Sequence, residues 1–433
     1  MRIVMIGTGY VGLVSGACFS DFGHQVCCVD KDESKIAALL EGRIPIFEPG
    51  LDELVAKNVS AGRLEFSLDL VEALKGADAV FIAVGTPSRR GDGHADLSYV
   101  YAAAREMAPH LEPGVVVVTK STVPVGTGDE VERIIHELRP DLEFSVASNP
   151  EFLREGAAIE DFKRPDRVVI GVSDEHAAGV LHEIYRPLLR NETPLLRMAR
   201  RGAELTKYAA NAFLATKIGF INEIADLCEK VRADVHDVAR GIGLDSRIGP
   251  RFLQPGPGYG GSCFPKDTLA LLKTAQDSEA SLRIVEAVVA SNDTRKRSMG
   301  RKVVHALGGN AQGKVVALLG LTFKANTDDM RDSPALAIVR ALQDAGATVR
   351  AYDPEGMEQA AKLLDDVTYC SDAYEAMDGA DAAVIATEWD DFRALDFDRA
   401  KELMRQHVLV DLRNLYDRDD LEWLGFHYVA VGR

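Results

Sequence analysis

The sequence predicts an α/β protein in which two doubly wound domains are joined by a long central helix. Three observations support this prediction. A glycine-rich turn lies between a strand and a helix near the N-terminus, the last third of the chain repeats strand patterns of the first third, and about thirty residues between them combine helical apolar spacing with an absence of proline. We therefore expect a nucleotide-binding domain over residues 1–200, a central helical region over residues 201–305, and a second α/β domain over residues 306–433.

The glycine-rich turn reads G-T-G-Y-V-G over residues 7–12. Alone this pattern is weak, but a strand over residues 3–6 precedes it and a small-residue helix follows it to about Phe22. A second strand over residues 25–29 ends at Asp30, whose carboxylate would accept hydrogen bonds from ribose hydroxyls and repel a 2′-phosphate. The pattern predicts a Rossmann-like domain that binds NAD rather than NADP, with a glycine turn in some other α/β fold as the alternative.

Further strand patterns in the first half end in polar segments. The strand within residues 76–84 runs into Thr86, and the strand over residues 115–119 runs into a hydroxyl-rich turn that contains Thr122, where the hydroxyls could cap a helix or contact the cofactor. After a third strand, Glu151 and Glu155 lie four residues apart and would share one face if this segment is helical. A solvated pair of carboxylates is the ordinary interpretation, whereas acid–base work fits their place beyond a strand.

The long helix is predicted from Gly202 to about Arg232. Such a helix could connect two domains or form a dimer interface. Lys207 and Asn211 are separated by four residues and therefore point the same way. They are either a pair of site residues or part of a polar stripe that faces water.

A cysteine stands at the start of a further helix signal. Cys263 follows a run of small residues and precedes Pro265, which suits a first helical position. The positive end of the helix dipole and nearby Lys266 would both favour the nucleophilic thiolate. The alternative is a free cysteine that packs as a small hydrophobe. None of the six cysteines forms a C-x-x-C pair, so we predict no metal site and a reducing compartment.

The last third of the chain repeats the first. Residues 346–353 align with residues 23–30, and residues 379–386 align with residues 76–83. Gly320 ends a strand but lacks the glycine fingerprint, so a dinucleotide turn is not expected there. Phe323 and Lys324 follow it and would suit contacts with a base or ring and with a phosphate or hydroxyl. The charged loop that comes next contains Asp328, Asp329, Arg331 and Asp332, and for these residues a solvated loop is the alternative.

Composition restricts the partners. The net charge of −17 argues against nucleic acid as a partner, because phosphate backbones require a basic surface. No apolar run reaches the ~18 residues of a transmembrane candidate, and the N-terminus reads as a strand rather than a signal peptide. We therefore expect no membrane association and a cytoplasmic location.

The parts together indicate a reaction. NAD accepts hydride, and a thiolate adds to a carbonyl, so an aldehyde made from an alcohol could be held as a thiohemiacetal and oxidised again to a thioester. A simple alcohol dehydrogenase needs no cysteine nucleophile. The combination of an NAD site, Cys263 and a second nucleotide-type site therefore predicts a four-electron oxidation of an alcohol to an acid.

Over essentially its whole length the sequence resembles the UDP-glucose/GDP-mannose dehydrogenase family. The motifs that carry the resemblance are residues 7–12, 121–126, 149–156, 207–211 and 260–267. The resemblance implies NAD-dependent oxidation of UDP-glucose to UDP-glucuronate through a cysteine thioester, with oxidation of GDP-mannose or a UDP-N-acetylhexosamine as the alternative. It also implies an NAD-binding Rossmann domain, a central dimerisation and catalytic-cysteine region, a UDP-sugar-binding Rossmann-like domain, and a homodimer or higher homo-oligomer. A protein that binds a nucleotide sugar without catalysis is a further alternative. The presence of Cys263, Lys207, Asn211 and Asp267 together argues against it.

The resemblance assigns catalytic roles to four residues of the last two motifs, residues 207–211 and 260–267. Cys263 resembles the family's nucleophile, and Lys207 with Asn211 resembles the pair that stabilises the oxyanion. Asp267 resembles the carboxylate that handles the hydroxyl proton together with Lys207 and a water molecule.

The remaining implied roles concern hydrolysis, cofactor and substrate. Glu151 resembles the base for thioester hydrolysis, and Thr122 the residue that holds a catalytic water molecule. Arg247 resembles an arginine that reaches the neighbouring subunit's site, whereas Gln254 receives no role. The implied cofactor-binding residues are Gly7, Gly9, Tyr10, Val11, Gly12, Asp30, Lys35, Thr86, Thr122, Glu155, Lys266 and Arg331. The implied substrate-binding residues are Glu151, Phe152, Leu153, Arg154, Glu155, Lys207, Asn211, Arg247, Phe252, Tyr259, Gly260, Phe323, Lys324 and Arg413.

Overall fold

The computed structural model describes residues 1–89 and 93–433. Contacts divide the chain into two compact units. The first unit comprises Met1–Ala210 and Lys273–Glu279, and the second comprises Asn211–Leu272 and Ala280–Arg433. Within the described residues, no helix combines the length and the apolar character that crossing a bilayer requires.

The first unit is built on a sheet of eight strands. Hydrogen-bonded neighbours follow the order β3-β2-β1-β4-β5-β6-β7-β8, and the described pairs are parallel except for the antiparallel bridge between β6 and β7. The first six strands have the order of a doubly wound dinucleotide-binding sheet, which confirms the predicted fold class. The strands are β1 (Arg2–Ile6), β2 (Gln25–Val29), β3 (Leu64–Ser67), β4 (Ala79–Ile82), β5 (Val116–Thr119), β6 (Ser145–Ser148), β7 (Val168–Gly171) and β8 (Leu195–Met198).

Helices cover both faces of this sheet. Met5 and Phe81 belong to one buried cluster, and their strand neighbours Val4 and Val80 belong to another, because successive side chains of a strand point to opposite faces. This explains why the strands read as continuous apolar runs. The helices are α1 (Tyr10–Asp21), α2 (Glu33–Leu40), α3 (Leu51–Ser60), α4 (Leu70–Leu74), α5 (Ser98–Met107), α6 (Thr127–Leu138), α7 (Ala158–Lys163), α8 (Glu175–Leu189) and α9 (Arg200–Val231), and a 3₁₀ turn covers Ala108–His110.

The second unit contains a six-stranded parallel sheet in the order β11-β10-β9-β12-β13-β14. This order repeats that of the first six strands of the first unit, as the internal similarity of the sequence predicted. The strands are β9 (Val315–Leu319), β10 (Thr348–Tyr352), β11 (Val367–Tyr369), β12 (Ala382–Ile385), β13 (Val408–Asp411) and β14 (His427–Ala430).

The predicted long helix is α9, which has 32 residues and continues from the first unit into the second. The helix after the cysteine, α11, also crosses the boundary between the units. Together with α9, the helices of the second unit are α10 (Val235–Gly243), α11 (Phe264–Asp277), α12 (Arg283–Ala306), α13 (Pro334–Asp344), α14 (Met357–Ala360), α15 (Ala373–Met377), α16 (Asp390–Arg393), α17 (Phe397–Leu403) and α18 (Arg418–Trp423).

Two local expectations differ from the structure. Residues 151–156 are not helical, so Glu151 and Glu155 do not share a helical face. Side chains occupy the amide groups that a helix would use, since Glu151 accepts from the Leu153 amide at 2.6 Å and Glu48 accepts from the Gly156 amide at 2.7 Å. Pro265 occupies the second rather than the first position of α11.

Candidate active site

The glycine turn after β1 leaves the N-terminus of α1 approachable. Gly7 has a positive φ of 105°, and a Cβ atom there would lie 2.7 Å from the Ala83 carbonyl oxygen. A Cβ atom on Gly12 would lie 2.0 Å from the Gly7 carbonyl oxygen. By contrast, a Cβ atom on Gly9, the N-cap of α1, would meet no atom within 4 Å. The two outer glycines permit close packing, and the open space at Gly9 fits a pyrophosphate on helix N–H groups.

Asp30 stands beside this turn with an ionised carboxylate. Its Oδ2 accepts hydrogen bonds from the Thr8 amide at 2.7 Å and the Thr8 hydroxyl at 2.8 Å. The Lys35 ammonium lies 4.0 Å away. Burial alone would raise the pKa of Asp30, but the hydrogen bonds from Thr8 and Asp32 and the charge of Lys35 lower it overall. A charged acceptor at this edge of the sheet suits ribose hydroxyls.

Tyr10 is held by a carboxylate that sequence reasoning missed. The Tyr10 hydroxyl donates to Glu48, and Glu48 also accepts from the amides of Gly156 and Ala158, each at 2.7 Å. Burial, followed by the hydrogen bond to Glu48, raises the pKa of Tyr10, and the charge of Glu155 adds to this. Glu48 therefore joins the glycine turn to the segment that carries Glu155. Val11 lies next in the first turn of α1.

A buried ion pair lies beyond β6. The Lys207 ammonium is 3.0 Å from Glu151, and the two side chains are 3% and 5% exposed. Burial alone would raise the pKa of Glu151, but the charge of Lys207, the Leu153 amide and the charge of Lys120 together lower it. Glu151 is therefore a carboxylate able to accept a proton, in a site from which water is largely excluded.

Lys120, at the end of β5, is a third buried charge near this pair. Its ammonium donates to Asn149 Oδ1 at 3.0 Å and to the Tyr185 hydroxyl at 3.1 Å. Burial lowers its pKa to about 7, with Glu151 opposing and Lys207 reinforcing the shift. Lys120 directly follows β5, and Asn149 directly follows the neighbouring β6. Their position at the ends of buried strands is a sequence signal for functional residues, although neither residue was assigned a role from the sequence.

The Thr122 turn is fixed by several side chains. The Thr86 hydroxyl donates to the Thr122 carbonyl oxygen at 2.9 Å. Glu204 of α9, which is 3% exposed, accepts from the amides of Gly126 and Gly128 at 2.6 and 2.8 Å and so occupies the N-terminus of α6. Sequence reasoning missed Glu204, because its partners lie more than 70 residues earlier in the chain.

The segment after Glu151 places aromatic and charged groups near Lys207. The Phe152 ring has the Arg167 guanidinium at 3.7 Å and the Lys207 ammonium at 5.4 Å from its centroid. Leu153 packs on the core of the first unit. Arg154, predicted to bind substrate, forms an exposed ion pair with Asp161 at 2.6 Å.

In the second unit, Cys263 immediately precedes α11, as predicted. Its carbonyl oxygen accepts from the Asp267 amide at 2.8 Å, and its Sγ lies 3.5 Å from the Ser262 hydroxyl. All six cysteines are among the described residues, and Cys263 alone is not buried. Burial raises the pKa of Cys18 to about 12 and that of Cys27 to about 11, which leaves those thiols unreactive.

Asp267 contacts two other predicted site residues. It is 1% exposed, accepts from Asn211 Nδ2 at 2.6 Å and pairs with the Lys266 ammonium at 2.7 Å. Asn211 is also buried, at 6% exposure. The structure therefore brings Asn211, Lys266 and Asp267 together beside the helix start that holds Cys263.

The loop after β9 packs on the glycines before Cys263. The Gly261 amide donates to the Arg331 carbonyl oxygen at 2.7 Å, and a Cβ atom on Gly261 would lie 2.7 Å from the Phe323 ring. A Cβ atom on Gly260 would lie 2.4 Å from the carbonyl oxygen of Asp332. Only glycine fits at these two positions.

Arg413 fixes Phe323 from the other side. Its guanidinium donates to the carbonyl oxygens of Phe323 at 2.9 Å and Ala386 at 2.8 Å, and lies 3.0 Å from Glu388. The Lys324 ammonium is 5.4 Å from the centroid of the Phe323 ring. The carboxyl ends of β9, β12 and β13 thus converge on the predicted second ligand site.

The other predicted residues have mixed surroundings. Phe252 and Tyr259 both pack on Phe264, with ring centroids at 6.2 and 6.0 Å. Burial raises the pKa of the Tyr259 hydroxyl to about 12, opposed by a hydrogen bond from Thr268. Arg331 pairs with Asp329 at 2.8 Å. Arg247 is 86% exposed and pairs with Asp245 at 2.6 Å.

Known proteins resemble the chain along its full length. A UDP-glucose 6-dehydrogenase of Rhizobium meliloti (strain 1021) is 68% identical over 435 residues, which cover 100% of both chains. The solved structure of a UDP-glucose dehydrogenase from the hyperthermophilic archaeon Pyrobaculum islandicum has a TM-score of 0.89 and 41% identity, and covers 99% of this chain and 96% of that one. That of a UDP-D-ManNAc dehydrogenase from Pyrococcus horikoshii has a TM-score of 0.87 and 28% identity, and covers 100% and 99%.

The doubly wound sheet, the open glycine turn and Asp30 define a dehydrogenase of the dinucleotide-binding class. Residues 1–189 match the NAD binding domain of the UDP-glucose/GDP-mannose dehydrogenase family, residues 201–294 its central domain, and residues 317–418 its UDP binding domain. The chain belongs to the UDP-glucose/GDP-mannose dehydrogenase family. It is an NAD-dependent oxidoreductase, as the sequence predicted.

Proposed function

We propose that the enzyme oxidises UDP-glucose to UDP-glucuronate through a thioester on Cys263. The observation that carries the proposal is the partly exposed Cys263 just before α11, beside the group formed by Lys266 and the buried Asn211 and Asp267. In the overall reaction the primary alcohol and one water molecule give a carboxylate, with two hydride ions and three protons released. When bound, NAD accepts the hydride in each of two successive oxidations.

Each protein residue has a distinct role in this proposal. Lys207 and Asn211 donate to the sugar oxygen, and Asp267 takes the hydroxyl proton through Lys207 and a water molecule. Cys263 Sγ adds to the aldehyde carbon, and the resulting thiohemiacetal loses its hydroxyl proton and a second hydride to become a thioester. Glu151, held ionised by Lys207, removes a proton from the water molecule that attacks the thioester, and the C–S bond breaks to release the Cys263 thiolate.

The remaining predicted residues hold the ligands. Thr122 holds the hydrolytic water molecule. The cofactor is bound by the glycine turn with Tyr10 and Val11, by Asp30 and by the other cofactor-binding residues that the sequence implied. The nucleotide sugar is bound by Phe323, Lys324, Arg413 and the segment after Glu151. We also retain the division into residues 1–200, 201–305 and 306–433, and a cytoplasmic location, as proposals that rest on the sequence.

The greater identity to UDP-glucose enzymes, 68% and 41% against 28% for the UDP-D-ManNAc enzyme, supports UDP-glucose as the substrate. The test is NADH formation with UDP-glucose, GDP-mannose and UDP-N-acetylhexosamines at equal concentration. Turnover should be fastest with UDP-glucose by about tenfold or more, as expected for a site built to hydrogen-bond one sugar. Turnover confined to GDP-mannose would contradict the proposal.

The cysteine route has its own test. Cys263→Ala should abolish formation of UDP-glucuronate while the affinity for NAD, measured by titration, changes less than about twofold, because the glycine turn is untouched. Acid formation by Cys263→Ala at the wild-type rate would show that the thioester route is wrong. A protein that binds UDP-glucose without producing NADH would instead be a sensor.

We also propose a homodimer built on α9. Phe213, Phe220, Leu227 and Val231 are between 51% and 64% exposed, and their spacing of seven, seven and four residues aligns them along one face of the helix. A row of exposed large apolar side chains of this length is typical of an interface. The exposed Arg247 guanidinium would reach the neighbouring subunit's site.

A further inference from the structure

The segment that leads to Cys263 is buried although it has no regular secondary structure. Residues 255–261 are all buried, and no helix or strand is assigned between α10 and α11. The backbone N–H and C=O groups of a buried loop must find partners, since an unpaired buried group loses its hydrogen bonds to water without replacement. The partners of this loop therefore identify the side chains that fix its path.

Asn292 of α12 satisfies both backbone groups of Tyr259. Its Oδ1 accepts from the Tyr259 amide at 2.8 Å, and its Nδ2 donates to the Tyr259 carbonyl oxygen at 3.0 Å. Asn292 is 5% exposed. Gly258, with a positive φ of 114°, lets the loop come so close that a Cβ atom there would lie 2.9 Å from Asn292 Oδ1.

A second clamp holds the loop at Gly256. The Gly256 amide donates to Asn222 Oδ1 of α9 at 2.8 Å, and its carbonyl oxygen accepts from Arg295 Nε of α12 at 2.9 Å. Arg295 also donates to the Asn222 carbonyl oxygen at 3.1 Å and pairs with Asp226. Asn222 and Arg295 are 3% and 5% exposed.

Little freedom remains between the Tyr259 clamp and the thiol. The Gly261 amide is fixed to the Arg331 carbonyl oxygen, and the Tyr259 ring packs edge-on against Phe264, the first residue of α11. Cys263 lies between these two fixed points. The position of the Tyr259 backbone therefore determines where Cys263 meets the start of α11.

We propose that Asn292 is a positioning residue for Cys263, and that its two hydrogen bonds to the Tyr259 backbone hold the thiol at the start of α11. Asn222 and Arg295 fix the same loop three residues earlier, at Gly256. This inference rests on the proposed role of Cys263 as nucleophile. It assigns Asn292 an effect on the rate of the covalent step and on the thiol, and no contact with NAD.

The test compares Asn292→Leu, which has similar size and no hydrogen-bonding groups, with Thr294→Ala on the exposed face of the same helix. For Asn292→Leu we expect kcat with UDP-glucose to fall about 10- to 100-fold, as for a displaced reacting group, while KM for NAD stays within about twofold. The pKa of Cys263, measured from the pH dependence of alkylation by iodoacetamide, should rise as the thiol leaves the helix terminus. Thr294→Ala should match the wild type in all three measurements.

A folded Asn292→Leu variant with wild-type kcat and a wild-type alkylation profile would overturn the proposal. If Asn292→Leu does not fold, Asn292→Ser keeps a polar group but is too short to reach both backbone groups of Tyr259, and an unchanged kcat and alkylation profile in that folded variant would equally overturn the proposal. Alkylation requires no sugar nucleotide. A wild type that fails to oxidise UDP-glucose would therefore refute the proposed function, and the alkylation comparison would still decide the role of Asn292.

Discussion

Three buried charged groups lie around the segment after β6, and the free-energy cost of removing them from water differs among them. Glu151 and Lys207 form a close pair, so each compensates the desolvation of the other. Lys120 has two neutral hydrogen-bond partners, and burial lowers its pKa to about 7. Its charge is therefore the one most easily lost near neutral pH.

Lys120→Met should reveal this charge through the pH dependence of stability. The pKa of lysine in the unfolded chain is about 10.4. Between pH ~7 and ~10 the native state therefore binds fewer protons than the unfolded chain, and stability rises with pH. The unfolding free energy of the wild type minus that of Lys120→Met should increase across this window, by at most about 1.4 kcal/mol per pH unit, and level off below pH ~7. Unfolding curves at several pH values measure it. The exposed control Lys362→Met should show no such slope, and a flat difference for Lys120→Met would refute the shift.

Glu151→Gln should separate formation of the thioester from its hydrolysis. The amide keeps a hydrogen-bond acceptor for Lys207 but cannot take a proton from water, so hydrolysis should slow by about 100-fold or more. Intact-mass measurement after mixing with UDP-glucose and NAD should then show the sugar nucleotide attached to the protein, and Cys263→Ala should show no adduct. Slow turnover of Glu151→Gln with no adduct on the protein would place its role elsewhere.

Asp30 and Asp353 occupy equivalent positions in the two units, as the sequence repeat predicted, but the sequence did not show that their surroundings differ. The sequence repeat aligned them, and in both units the carboxylate accepts from the amide that follows the strand-end glycine, Thr8 at 2.7 Å and Leu321 at 2.7 Å. Asp353 is fully buried and also accepts from Trp389 Nε1 at 3.2 Å, so it is unavailable to a ribose. Burial by a residue 36 positions away cannot be read from a local motif.

At the scale of elements, two glycines of the turn after β1 serve different purposes: Gly12 permits close packing, and Gly9 leaves room for a ligand. Gly9→Val points into open space, so the variant should keep the wild-type unfolding temperature within a few degrees yet bind NAD about tenfold or more weakly, because the side chain meets the pyrophosphate. Gly12→Ala meets the Gly7 carbonyl oxygen and should lose about 1–3 kcal/mol of stability. Thermal unfolding and NAD titration distinguish the two variants. Equal NAD affinity for Gly9→Val and wild type would place the cofactor elsewhere.

Elements with strong periodicity were predictable, and segments shaped by distant side chains were not. The long helix α9 and the strands at the glycine turn follow from spacing and composition. The segment after Asn149 does not, since Glu48 and Asp161 take its amides from outside the pattern. The clamps of Asn222 and Asn292 were equally hidden, because they join residues more than 30 positions apart.

At the scale of the whole molecule, the apolar stripe on α9 predicts an oligomer. Phe220→Asp places a charge in the middle of the proposed interface, where desolvation would be costly, and should shift the protein towards monomers. Sedimentation velocity across a range of concentrations measures this. Leu363→Asp, at a similarly exposed position in the turn after α14, serves as the control and should leave the wild-type state unchanged. A monomeric wild type would end the dimer proposal.

The second sheet repeats the order of the first six strands of the first sheet, but the two are predicted to take different ligands, NAD in the first unit and the nucleotide sugar in the second. The central claim is that Cys263 retains the half-oxidised sugar until a second oxidation is complete. Counting NADH formed against UDP-glucose consumed, with a trap for free aldehyde, tests this claim most directly. The account predicts two NADH per sugar and no trapped aldehyde, whereas one NADH per sugar with aldehyde accumulating would contradict it.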